Sequence, residues 1–307
     1  MAGLSAAASL LHAGRRPVVI DKGRGLGGRI ASRRIGGATF DHGAQFMTAH
    51  HPRFAAAIDE WKEAGLVREW SRGFGGKADG HIRWRGTAAM TGVVKEVGRG
   101  VEVCLGVEVL VIRNLRGEWV AETVGGGTYS APVLVLTAPV PQCLAILGRS
   151  GIGFPEERLG RIQYERCLAV MAVLDGQSQV PPPGGLVPGS GPIGWIADNQ
   201  MKGISAEPAV TIHATHDFSM EHWEGDRQAS GRRLLEAARE WLGAGVQTFQ
   251  VHGWRYSKPI QVEEQPFFII QEAPLLMLAG DAFAGPRVEG AAESGWAAAG
   301  AILQAAT

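Results

Sequence analysis

Short apolar runs that stop at a glycine or an acid alternate with stretches of helical spacing, so the chain reads as strands and helices interleaved. Ala2 to Ala13 is rich in Ala and Leu and ends at Gly14 before a basic pair, which predicts a helix with a glycine stop. Pro17-Val-Val-Ile-Asp21 predicts a short buried strand ending in an acid. From Lys22 to Arg34, four glycines stand among Arg24, Arg29, Arg33 and Arg34, and a glycine-rich basic loop is expected. The spacing of Phe54, Ile58 and Trp61 predicts a helix over about 51–65, and a second is expected from Ala88 to Val97. Between Val101 and Leu136, β-branched runs broken near Asn114 and Gly125 predict a small meander. The prolines and glycines of 181–192 predict a surface loop. Val210 to Thr215 and Phe249 to Tyr256 read as strands, and Gln228 to Leu242 as an amphipathic helix. Near the end, Pro274 to Asp281 predicts a buried strand, and Gly290 to Ala306 a helix made largely of Ala and Gly.

Composition narrows the function classes. A chain of 307 residues suggests about two domains. With 30 basic and 30 acidic residues the formal charge is zero, so nothing asks for nucleic acid or an anionic membrane as a partner. No apolar run approaches the roughly 18 residues of a membrane span. The apolar start lacks a basic leader segment and reads as a helix, not as a signal peptide. Cys104, Cys143 and Cys167 fit neither a disulfide framework nor a CxxC pair, so a reducing cytoplasm is the expected compartment.

Two places could carry chemistry. Gly3 near a helix start, followed by Asp21 at the end of the next strand, fits the second half of a dinucleotide-binding βαβ unit, in which the helix N-terminus faces a pyrophosphate and the acid bonds a ribose. The first strand and the first two glycines of a G-x-G-x-x-G would lie upstream of Met1. The expectation is that about ten more coded residues supply them, since the helix needs a preceding strand to place its N-terminus over the pyrophosphate. At the other end, Gly280-Asp281 closes a buried strand, and Arg287-Val-Glu-Gly290 leads into a helix of small residues. Other chemistries fit less well. His213, His216, His222 and Asp217 lack a helical i, i+4 ligand pair, so no metal is expected, and Pro188 before Gly189-Ser190-Gly191 breaks a nucleophile elbow. Strand alternation puts His252, Trp254 and Tyr256 on one face, which lines either a pocket or the core.

Together these stretches resemble the flavin amine oxidase superfamily, and within it the renalase-like branch. The residues are Ala2-Gly-Leu-Ser-Ala-Ala7, Asp21 to Arg29 (DKGRGLGGR), Asp41-His-Gly-Ala-Gln-Phe46, Leu136-Thr-Ala-Pro139, His252 to Tyr256, Gly280-Asp281 and Arg287 to Ala291. The resemblance implies an α/β chain with a glutathione-reductase-like FAD-binding fold over 1–58, 91–146 and 256–307, and a mixed α+β substrate domain over 59–90 and 147–255. It implies non-covalent FAD held by Gly3, Asp21, Lys22, Gly28, Arg29, Gly43, Ala44, Gln45, Gly280, Asp281, Val288, Glu289, Gly290 and Ala291. His213, Trp254 and Tyr256 are the substrate-pocket candidates. The implied reaction is hydride transfer to the flavin from 2- or 6-dihydronicotinamide dinucleotides, with dioxygen as acceptor, giving NAD(P)+ and hydrogen peroxide. Oxidation of a small amine is the alternative, and a flavin-less binding protein a further one.

Overall fold

The protein is described by a computed structural model covering residues 1–75 and 77–305, so the expected helix end at Ala306 lies outside the described residues. The chain divides into two compact units. The first is Met1–Gly28, Val94–Tyr164 and Lys258–Thr307, and the second is Arg29–Val93 and Glu165–Ser257. The first segment therefore passes to the second unit at Arg29, where the sequence expectation carried it to 58.

In the first unit the strand Val18–Asp21 pairs in parallel with Glu102–Leu105, and Val133–Leu136 pairs in parallel with Leu275–Leu278. Phe268–Gln271 adds to the latter antiparallel. The expected meander over 101–136 is thus corrected: only Val109–Leu115, Glu118–Thr123 and Thr128–Ala131 form an antiparallel set. The runs at either end are short and apolar, and such runs do not reveal their partners, which here lie far away in the chain. The helices Ala2–His12 and Val288–Ala305 pack against each other. Their close approach explains the small residues: a Cβ at Gly295 would lie 2.2 Å from the Ala2 carbonyl oxygen.

The second unit is built on a five-stranded sheet in the order Gly185–Leu186, Ile193–Asp198, Ala209–Ala214, Tyr164–Leu174, Val246–Pro259. Its Tyr164–Leu174 strand is buried on both faces. Leu168, Val170, Ala172 and Leu174 face the core under the helix Arg227–Ala237, while Met171 and Val173 pack on Ala38 and Phe40 of the hairpin Ser32–Ile35/Ala38–Asp41. Sequence pattern placed no strand there, although YERCLAVMAVL is the continuous apolar run of a central strand. The expected loop over 22–34 ends sooner than anticipated, because Ser32 to Arg34 already belong to that hairpin. The helix Pro52–Glu63 buries Phe54, Ile58 and Trp61 as spaced, and the hairpin Val67–Phe74/Lys77–Gly86 follows it. The expected single helix over 228–242 is two, Arg227–Ala237 and Arg239–Leu242, broken at Ala238. No helix among the described residues is long and apolar enough to cross a membrane.

Candidate functional site

In the first unit, the nucleotide-site candidates gather at strand ends and helix starts. Asp21 is the last residue of its strand, and its Oδ1 accepts the Gly23 amide at 2.7 Å. Its Oδ2 has no partner among the described residues. The first turn of Ala2–His12 carries neither a side-chain cap nor an acid, so its amides and dipole are available to an anion. Gly3 stands beside Thr137, whose Oγ1 would be 2.9 Å from an added Cβ, and Gly280 adjoins the carbonyl of that same residue. Asp281 is buried and sits 3.5 Å from the Tyr164 hydroxyl, which also accepts the Val140 amide. Ser294, the hydroxyl side chain in a helix rich in Ala and Gly, holds the turn: its hydroxyl accepts the Gly280 amide at 2.8 Å and donates to the Pro266 carbonyl at 2.6 Å. Val288, Glu289, Gly290 and Ala291 form the first turn of the last helix, and Gly290 lies against the Gly285 carbonyl. Lys22 and Gly28 lie in the loop after Asp21.

In the second unit, the Asp41 to Phe46 segment is held from several sides. Gly43 packs so closely on Arg29 that a Cβ would lie 2.1 Å from the Arg29 carbonyl oxygen, which accepts the Ala44 amide at 2.8 Å. Only glycine fits there. Gln45 donates through Nε2 to the carbonyl of Asp41 at 2.5 Å, while its buried Oε1 has no partner among the described residues. Lys202 is fully buried and donates to Asp41 Oδ2 at 2.7 Å and to the Gln45 carbonyl at 2.6 Å. Asp41 Oδ1 takes Ser32 Oγ and the Met90 amide. Burial lowers the Lys202 pKa, against the raising effect of Asp41. Arg29 reaches the Ser257 carbonyl at 3.5 Å with its Nη1.

Two of the pocket candidates, His213 and Trp254, meet at His42. Trp254 Nε1 donates to the His42 carbonyl at 2.8 Å, and His213 Nε2 donates to the same oxygen at 3.0 Å. The Trp254 ring stacks on His42 at 5.2 Å and meets His252 at 4.2 Å. Alternation along the strand therefore does bring His252 and Trp254 together. Burial, then the charges of His252, Arg33 and His213, push the His42 imidazole down to about 3. Burial pushes His213 down to about 4, and burial with Arg33 and Arg227 does the same for His252. All three rings are neutral at pH 7. A second aromatic group lies in this unit, where Phe46, Trp70, Phe74 and Trp195 touch one another at 4.8 to 6.2 Å. His216 starts a short helix, and no metal-ligating cluster exists among the described residues. Lys202, His42, Tyr164, Ser294 and Thr137 were not singled out from sequence as site residues. Thr137 and His42 lie inside stretches that carried the resemblance, and Ser294 is conspicuous as the hydroxyl in an apolar helix.

The residues of the first unit fit FAD: uncapped helix amides for a diphosphate, a strand-end carboxylate with a free oxygen for a ribose, and a buried acid beside a turn. The partnerless Gln45 Oε1 fits a ligand N–H in the second unit. Residues 1–69 match the family model described as flavin containing amine oxidoreductase. Among solved structures, the chain is similar to a protein named as a protoporphyrinogen oxidase from Exiguobacterium sp. 255-15, with TM-score 0.74 and 13% identity over 98% of this chain and 96% of that one. It is similar as well to a putrescine oxidase variant, TM-score 0.73 and 13% identity over 99% and 96%, and to an oxidoreductase from Methanosarcina mazei, TM-score 0.63 and 13% identity over 99% and 98%. The likenesses in structure show the glutathione-reductase-like FAD-binding fold, and the match to the flavin containing amine oxidoreductase model covers residues 1–69 of the 307.

Proposed function

We propose that the protein oxidises isomeric dihydronicotinamide dinucleotides, reduced at ring position 2 or 6, to NAD(P)+, with dioxygen as the electron acceptor. One observation carries this reading. The His42, His252 and Trp254 face is aromatic and uncharged, it is flanked by the charges of Arg33 and Arg227, and the buried Asp41 carboxylate in the same unit is already engaged by Lys202, Ser32 and Met90. Such an environment suits a neutral planar ring on an anionic nucleotide better than an ammonium, since the Asp41 carboxylate is already paired. Bound FAD supplies the two-electron acceptor. The chain's own part is orientation and exclusion of water. Stacked imidazole and indole hold the donor ring flat, and neutral histidines add no charge that would oppose formation of the pyridinium product. Loss of a hydride leaves that pyridinium, and the two electrons, the proton carried by the hydride and one solvent proton convert dioxygen to hydrogen peroxide. The amine alternative draws support from the family match and from the putrescine oxidases among the similar structures.

Anaerobic mixing of the yellow holoprotein with each isomer is the test: bleaching of the flavin by a 2- or 6-dihydronicotinamide dinucleotide, and stoichiometric peroxide in air, are expected. Bleaching by a polyamine or monoamine with no response to either isomer would replace this reading with amine oxidation. A separate expectation concerns cofactor retention. Asp281→Ala and Asp21→Ala should each weaken FAD binding by about 1.5 to 3 kcal/mol, the value of a hydrogen bond to a charged group, without unfolding the chain. Flavin content after dialysis measures it, and undiminished occupancy in both variants would remove these residues from the cofactor site.

A further inference from the structure

Three guanidinium groups converge on a single indole in the second unit. The Cζ atoms of Arg227, Arg166 and Arg255 stand 4.4, 4.9 and 5.7 Å from the ring centre of Trp223. They arrive from separate elements: the strand Tyr164–Leu174, the first residue of the helix Arg227–Ala237, and the strand Val246–Pro259. None of the three pairs with a carboxylate among the described residues. Asp226, the acid next to Arg227 in sequence, is occupied capping its helix through the Gln228 and Ala229 amides, with Arg232 at 3.8 Å.

Trp223 is itself 5% exposed, so the ring has no face to offer a ligand and serves as a platform. Cation–π stacking accounts for where the guanidinium planes lie, but not for gathering three like charges without a counter-ion. A second observation points outward: Arg227 Nη1 is buried and has no acceptor. A buried charged donor left unpaired is a costly feature that an anionic ligand would relieve. Gly253 is part of the same construction, since a Cβ there would meet Trp223 at 3.1 Å and Arg227 Nη2 at 3.3 Å. Guanidinium forks match phosphate oxygens two at a time, and stacking on an indole preorients them.

We propose that Arg166, Arg227 and Arg255 around Trp223 form a binding site for the phosphate groups of a nucleotide. Gly253 and Arg255 alternate with His252 and Trp254 along the strand Val246–Pro259, so the cluster lies on the opposite face of that strand from the His42, His252 and Trp254 rings and is a site of its own.

The test uses the holoprotein with FAD bound, so that the cofactor's own diphosphate site is filled. Inorganic pyrophosphate, titrated by calorimetry at low salt, should bind saturably and more weakly as salt rises, and ADP should displace it. Arg255 is exposed, so Arg255→Gln tests the site without threatening the fold. It should weaken pyrophosphate binding several-fold, and Arg166→Gln with Arg255→Gln together about tenfold or more, matching the loss of charge-assisted hydrogen bonds. Flavin content should stay unchanged in both variants. Pyrophosphate affinity equal in wild type and both variants would overturn the site, and pyrophosphate binding that ADP does not displace would overturn its nucleotide assignment. If pyrophosphate binds as expected while neither isomer reduces the flavin, the phosphate site stands and the substrate reading fails.

Discussion

Lys202→Met is expected to lower the stability of the protein by about 3 to 5 kcal/mol, the usual result of removing one member of a buried ion pair. The cost comes from Asp41, which is fully buried and would lose its salt-bridge partner while keeping the Ser32 and Met90 hydrogen bonds. The Gln45 carbonyl would lose its donor in the same step, and the close Gly43 turn would lose one of its restraints. Against a typical domain stability of about 5 to 15 kcal/mol, this is enough to shift a urea midpoint far down. Asp41→Asn added to Lys202→Met should restore part of the loss, because the orphaned charge is gone and a buried pair often adds little over neutral replacements. Urea unfolding of the four proteins in the cycle measures it. A single-variant effect below about 1 kcal/mol, in the range of surface ion pairs, would show that the pair does not hold this segment.

Acidification below about pH 6.5 should weaken the second unit. In the unfolded chain a histidine takes up its proton near pH 6.5, whereas folded His213 and His252 resist protonation down to about 4, and His42 to about 3. The unfolded state therefore binds more protons throughout that interval. Stability is fully present above pH 6.5 and is lost progressively as pH falls toward 4 and then 3. His213 alone would contribute a loss of about 3 kcal/mol by pH 4, and the other two act in the same direction. Unfolding free energies at pH 7, 5.5 and 4.5 should decline steeply, and His213→Gln should flatten the slope while lowering stability at pH 7. A flat profile across this range would mean that the imidazoles are solvated in the folded protein.

Much of the fold was legible in the sequence wherever an element is decided by its own residues. The helix at Pro52–Glu63 follows from the spacing of Phe54, Ile58 and Trp61, and the Asp21 strand end from an acid that closes an apolar run, whereas the strand expected over 274–281 stops at Leu278, three residues before Asp281. What stayed hidden depends on partners. Glu102–Leu105 and Val133–Leu136 look like neighbours in a meander because parallel pairing leaves no local turn signal. Lys202 sits in an ordinary polar stretch, Asn199-Gln-Met-Lys202, and nothing in it distinguishes a lysine fully excluded from water. Its burial is created by Asp41 and Trp70, the ring of which lies 4.7 Å from Nζ. The convergence of Arg166, Arg227 and Arg255 is similarly invisible, since each arginine is separately an unremarkable surface type. Local pattern reports which face of an element is apolar; it does not report which charges will meet.

The discontinuous second unit has a consequence for synthesis on the ribosome. Residues 29–93 emerge first, and the strands that complete the unit begin only at Glu165 and end at Ser257. The Asp41 hairpin bonds to Lys202 and Thr211 across 161 and 170 positions, so it leaves the exit tunnel with its apolar face uncovered and its carboxylate still hydrated. At about 5 to 20 residues per second, the wait for residue 257 lasts on the order of 10 to 30 seconds. During that interval Phe40 and Ala38 have no sheet to cover, and the nascent chain is a natural client for a chaperone that shelters apolar segments. The second unit therefore cannot be completed before residue 257 has been made, however fast its strands pair.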